Sequence, residues 1–190
     1  MAADTELSDA SRSSSAPYET RTIALVGLMG AGKSTVGRRL AEVMGREFCD
    51  SDDEIEKAAG LSIADIFTLH GEAEFRRGEK RVMERLLGET PHVLATGGGA
   101  YLDPDTRALL RKNAITVWLN ADLETLWERV SRRNHRPLLR QPNPRSILAQ
   151  LLEERAPIYS KADLVVESED GPHSRTVNRI LAAVKGWQPE

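Results

Sequence analysis

Past residue 20 the chain alternates between two hydrophobic rhythms. Short apolar runs lie at Thr22–Val26, His92–Ala95, Ile115–Leu119 and Leu164–Val166, and a weaker one ends at Phe48–Cys49. They are too short for helices and are bounded by Gly, Asn or Asp. They predict strands buried on both faces. Between them the apolar positions recur at helical spacing. Ser34–Met44 sets Val36, Leu40 and Val43 on one stripe and stops at Gly45, a residue suited to close a helix. Asp53–Ala59 stops at Gly60. Ser62 opens the next helix, with Asp65 three residues on as in a capping box. Glu72–Leu87, Thr106–Lys112, Leu123–Arg133, Ser146–Arg155 and Arg175–Lys185 follow. Strands alternating with helices predict an α/β fold: a parallel sheet with right-handed crossovers and helices on both faces.

No internal repeat and no second domain interrupt this pattern. Residues 1–20 are rich in Ser, Ala and acids and predict a disordered tail; 21–190 predict a single domain. One stretch breaks the alternation: Arg132–Arg145 holds five arginines, one histidine and three prolines and no acid. It predicts a mobile loop, about residues 132–146, that meets anions.

Composition narrows the function classes. The 190 residues carry 26 Lys and Arg against 29 Asp and Glu. A mildly acidic chain is poorly suited to coat nucleic acid, and no nucleic-acid partner is expected. The lone cysteine, Cys49, rules out an intrachain disulfide and a Cys-built zinc site. It is expected to be buried and inert. No apolar run approaches ~18 residues, so no membrane partner is expected. The N-terminus lacks the basic start and apolar stretch of a secretory signal. A cytoplasmic location is the expectation.

The strongest chemical signal is GLMGAGKST, Gly27–Thr35. It matches G-x-x-x-x-G-K-[ST] at Gly27, Gly32, Lys33 and Ser34, after an apolar strand and before an amphipathic helix. Glycines let backbone N–H groups close around phosphate oxygens, and the helix N-terminus adds the positive end of its dipole. Lys33 reaches the β- and γ-phosphates, and the Ser34 hydroxyl ligates Mg²⁺. Neither the NKxD of a small GTPase nor the Asp-Glu strand end of a motor is present.

Weaker signals surround it. Asp50 and Asp52 follow the second strand. If the strand persists, both point to one side; one carboxylate holds Mg²⁺ and the other accepts a substrate hydroxyl. Equally, they read as a solvated acidic helix cap. Gly97, Gly98 and Gly99 end the third strand, where a ligand can touch backbone or the chain can simply turn. Arg76 and Glu79 share a helix face, either to capture a carboxylate or as a solvated pair. Arg136 sits in the basic loop, and Arg155 alone reads as a surface charge.

Taken in order, GLMGAGKSTVGRRLA, FCDSDDEIE, GLSIADIF, GEAEFRRGE, LATGGGA, RPLL and ERAPIY resemble the shikimate kinase family, from about Thr22 to Val184. The resemblance implies a five-stranded parallel sheet in order 2-3-1-4-5, like nucleoside monophosphate kinases, and phosphoryl transfer from ATP to the 3-hydroxyl of shikimate. It implies that Gly30, Ala31, Gly32, Lys33, Ser34 and Thr35 hold the ATP phosphates. Ser34 and Asp50 match Mg²⁺ ligands. Asp52 matches the carboxylate that bonds shikimate hydroxyls and is the candidate base. Arg76 and Arg155 match a clamp on the shikimate carboxylate, with Glu79 supporting it and Gly97, Gly98 and Gly99 lining the substrate. Arg136 matches the lid arginine reaching the phosphates, and Arg129 the arginine packing on adenine. A monomer is expected, because no exposed apolar stripe requires a partner. The rival readings are a gluconate kinase, a nucleoside monophosphate kinase and a nucleotide-binding module without catalysis.

Overall fold

A computed structural model describes residues 16–132 and 142–189. Five strands, β1 (Thr22–Val26), β2 (Phe48–Asp50), β3 (Val93–Ala95), β4 (Ala114–Asn120) and β5 (Leu164–Glu167), form one parallel sheet in the order β2-β3-β1-β4-β5. Ile23 pairs with Val93 on one side and Ile115 on the other. Cys49 sits opposite Leu94, and Trp118 opposite Val165. Every residue of β1 and β3 is buried, as are six of the seven in β4. Strands apolar at every position need cover on both faces, which the helices supply.

The helices are α1 (Lys33–Met44), α2 (Ser51–Ala59), α3 (Ile63–Leu87), α4 (Pro104–Asn113), α5 (Leu123–Ser131), α6 (Pro144–Tyr159) and α7 (His173–Lys185). Gly45 and Gly60 close α1 and α2 in the left-handed conformation, as the sequence predicts. The Ser62 side chain caps α3 by accepting from the Asp65 N–H. Within α3 the helical path breaks at Gly71, with φ 78° and ψ 174°. Helix Ile63–His70 and helix Glu72–Leu87 therefore run on different axes, matching the two helices expected. That backbone region is open only to glycine. α6 runs past Arg155 to Tyr159, longer than predicted. Pro157 forfeits a single ladder bond near the helix end, where the loss costs little.

Of the tail expected over 1–20, residues Pro17–Thr20 form a 3₁₀ turn. Arg46 holds it, donating to the carbonyls of Tyr18 and Glu19, each at 2.9 Å, and to that of Arg21 at 2.8 Å. Sequence reading missed this because a charge-to-carbonyl contact across 25 residues has no local signature. Cys49 is half-buried rather than buried; burial, then Glu54, pushes its thiol pKa up and leaves it a poor nucleophile. Among the described residues no helix is long and apolar enough to cross a membrane.

Candidate active site

The parallel sheet puts every strand's carboxyl end on one edge, and the predicted site residues gather there. β1 runs into the Gly27–Gly32 loop, which enters α1 through Gly32 at φ 94°. Lys33, first residue of α1, folds back over the loop. Its Nζ donates to the carbonyls of Gly27 at 2.7 Å and Leu28 at 3.1 Å. The Ser34 hydroxyl donates to Asp50 Oδ2 at 2.7 Å, joining the start of α1 to the end of β2.

The expectation for Asp50 and Asp52 is corrected in one respect. The strand ends at Asp50 and α2 begins at Ser51, so the two carboxylates do not alternate along one strand. Asp50 Oδ1 instead caps α2, accepting from the Asp52 N–H at 3.1 Å. The cap and the site are the same residue: one carboxylate oxygen holds the helix, the other faces Ser34. Asp52, in the helix's first turn, still lines the same cleft as Lys33, Ser34 and Asp50. Burial, and next the Asp50 charge, push the Asp52 carboxyl up to about 6, against the pull of Lys33.

The cleft holds about 420 Å³. Its floor is the phosphate loop, and Gly98 and Thr96 reach its inner end. Its outer wall carries Arg129, Arg132, Asp170, Gly171 and His173. Of these the sequence singled out only Arg129. Arg129 braces the loop from outside: Nη1 donates to Ser168 Oγ at 3.0 Å and to the carbonyls of Gly30 and Ala31 at 3.4 Å, and Nη2 to the Glu169 carbonyl at 2.6 Å. Buried Ser168 donates to the Ala31 carbonyl at 2.8 Å. Burial, then the charges of Arg39 and Arg129, lower the His173 pKa, so its ring stays neutral at pH 7. No sequence signal marks Ser168 or His173, because Ser168 meets the loop through the β4–β5 pairing and His173 through the packing of α7 on α1.

The second cluster lies beside the first, around the glycine run. The Gly97 N–H donates to the buried Ser51 hydroxyl at 2.9 Å. A Cβ at Gly97 would stand 2.5 Å from Asp52 Oδ1, and one at Gly99 3.0 Å from both terminal nitrogens of Arg76. The glycines thus let a carboxylate and a guanidinium close directly on backbone. Arg76 donates from Nη1 to Glu79 Oε2 at 2.7 Å. Glu79 is only 3% exposed; burial pushes its carboxyl up, and the bond and charge of Arg76 pull it back. This pair is therefore not the solvated surface pair that spacing alone allows. Arg155 is half-buried on α6, one helical turn before Tyr159, whose hydroxyl donates to the Gly98 carbonyl at 2.5 Å. Arg136 lies outside the described residues.

Two unlike surfaces thus lie side by side: a backbone cradle with a lysine, suited to phosphates, and a glycine run with Asp52 and Arg76 against it, where a guanidinium suits an anionic group. The family model described as shikimate kinase matches residues 29–185. The chain is 54% identical over 170 residues to a shikimate kinase of Caulobacter vibrioides, covering 90% of this chain and 85% of that one. It is 56% identical over 161 residues to that of Paramagnetospirillum magneticum, covering 85% and 83%. The solved shikimate kinase of Acinetobacter baumannii in complex with shikimate aligns at TM-score 0.82 and 42% identity, over 88% of this chain and 94% of that one. A gluconokinase from Sinorhizobium meliloti aligns at TM-score 0.57 and 22% identity, over 88% and 92%, a likeness of fold alone. Matched by that family model and by these relatives over most of its length, the chain belongs to the shikimate kinase family.

Proposed function

We propose that this chain transfers the γ-phosphoryl group of ATP to the 3-hydroxyl of shikimate, giving ADP and shikimate 3-phosphate. The observation that carries this reading is the juxtaposition of Asp52 with a glycine run flanked by Arg76 and Arg155, one step along the sheet edge from the phosphate loop. Two guanidiniums favour an acceptor bearing a carboxylate over a neutral polyol.

The backbone of Gly30, Ala31 and Gly32, with Lys33, Ser34 and Thr35, cradles the phosphates. Ser34 and Asp50 present a hydroxyl and a carboxylate oxygen 2.7 Å apart, a hard-oxygen pair that fits Mg²⁺, which takes few protein ligands and completes its shell with phosphates and water. Held by Ser34 and Asp50, Mg²⁺ would supply positive charge against the phosphate oxygens. Asp52 accepts the proton side of the acceptor hydroxyl and aims its oxygen at the γ-phosphorus; with a loose transition state, orientation matters more than base strength. Arg76, held by Glu79, and Arg155 grip the carboxylate at the far end of the acceptor. Arg129 walls the adenine end. Arg136, outside the described residues, supplies a further positive charge to the transferred group, a role resting on the family resemblance. The remaining parts of the proposal are a cytoplasmic monomer, a tail ahead of the domain that takes no part in catalysis, and no nucleic-acid or membrane partner.

The test is ADP release from Mg-ATP with shikimate, gluconate, AMP or no acceptor. ADP that forms with shikimate and drops steeply, to a small residual rate, in Asp52→Asn is the expected result. ADP formed with gluconate or AMP instead overturns the acceptor assignment while leaving the phosphate loop intact.

A further inference from the structure

Neither the phosphate-loop motif nor the pair of clamp arginines accounts for Tyr159. Its side chain is fully buried, packed between Tyr101 and Trp118 with ring centroids 6.4 and 6.1 Å away. A phenylalanine would fill the same space. A buried hydroxyl is retained at a desolvation cost and needs a partner. The partner here is the carbonyl of Gly98, at 2.5 Å, in the middle of the glycine run. Tyr159 is also the residue one helical turn after Arg155, so the two side chains share a face of α6. Burial raises the phenol pKa, while the neighbouring Arg155 pulls the other way.

The run is therefore fixed from several elements. Ser51 at the start of α2 accepts from the Gly97 N–H, β1 accepts the Thr96 N–H and hydroxyl at the Leu25 carbonyl, and α6 reaches Gly98 through Tyr159. Only the last of these ties comes from the helix that carries Arg155.

We infer that Tyr159 is a positioning residue for the acceptor: its hydroxyl links the Arg155 guanidinium to the Gly98 carbonyl, so that the clamp and the glycine run keep one fixed separation. This rests on the proposed shikimate kinase activity. A hydroxyl suits such a link, because it can donate to the carbonyl and still accept from a guanidinium on the same helix face, whereas a phenyl ring can do neither. Pro157 lies between the two residues and removes one N–H from the helix ladder, so the side-chain tie holds a turn whose backbone is weakened.

Steady-state kinetics of Tyr159→Phe, Arg155→Lys and the double variant test this, with thermal unfolding of each chain alongside. Tyr159→Phe should raise KM for shikimate by about five- to twentyfold, the scale of one buried hydrogen bond. KM for ATP should not move, and kcat should change less than KM. In the Arg155→Lys background, loss of the hydroxyl should add little, because the link is already broken. An active wild type with an unchanged shikimate KM in Tyr159→Phe overturns the inference. So do fully additive effects in the double variant, or a Tyr159→Phe chain that loses its cooperative unfolding, since either makes the hydroxyl purely structural. A wild type that releases no ADP with shikimate overturns the activity beneath it, an outcome distinct from the others.

Discussion

The two halves of the cleft are built differently. The nucleotide half is made mostly of backbone from nine consecutive residues, Gly27–Thr35, with one lysine lying over its own loop. The proposed acceptor half draws on four segments: side chains of Asp52 on α2, Arg76 and Glu79 on α3 and Arg155 on α6, and the backbone of the glycines after β3. A phosphate presents the same oxygens in any nucleotide, so a contiguous cradle serves many enzymes. An acceptor must be told apart from others, and that takes groups converging from several directions. The first half thus reports the reaction class and the second the substrate.

Substitutions in the two halves should separate accordingly. Lys33→Ala should have the largest effect, lowering kcat by about a thousandfold with every acceptor and in acceptor-free ATP hydrolysis alike, as expected when one charge on the transferring group is removed. Turnover near normal would remove Lys33 from the phosphate site. Arg155→Ala should lower kcat/KM for shikimate by about thirty- to a hundredfold while leaving KM for ATP and the background hydrolysis in place. If ATP affinity fell in parallel, the division into halves would be lost.

Asp52 stands between the halves, and its titration is the subtlest probe. With its folded carboxyl near 6, kcat/KM for shikimate should fall about tenfold for each unit of pH below that value, and the fall should disappear in Asp52→Asn. Stability moves the other way. The folded carboxyl binds its proton more tightly than the ordinary value of 3.8 allows, so this group stabilises the fold at low pH and that contribution is lost as pH rises from 3.8 to about 6. Asp52→Asn should therefore raise Tm at pH 7 and leave it nearly unchanged at pH 3.5, readable by calorimetry. A lowered Tm at pH 7 would mean that the ionised carboxylate is well paired.

The same contrast sets what could be read before the fold was seen. The strands and the phosphate loop were legible because their signals are local: apolar runs, and glycines at fixed offsets ahead of a lysine. The sheet order and the clamp arginines became legible only through resemblance to a family. Arg76 with Glu79 has the spacing of any surface pair; only the fold shows Glu79 at 3% exposure. Asp50 read as cap or as site, and it is placed for both, because its two oxygens face different neighbours. Ser168 and His173 left no trace in the sequence, since the approach of Ser168 depends on β5 pairing with β4 and that of His173 on α7 packing against α1. Tyr159 did leave one, four residues after Arg155, visible once a partner for its hydroxyl is asked for.

The break at Gly71 has a consequence for how such a chain tolerates insertions and deletions. In an unbroken α-helix, gaining or losing one residue turns everything beyond it by about 100°. Such a change before Gly71 would swing Arg76 and Glu79 off the glycine run if α3 were continuous. The glycine resets the helical phase, and a side chain there would meet nothing within 4 Å, so its backbone angles alone impose the residue. The segment from Gly60 to His70 can thus change length over generations while the acceptor-binding helix keeps its aim.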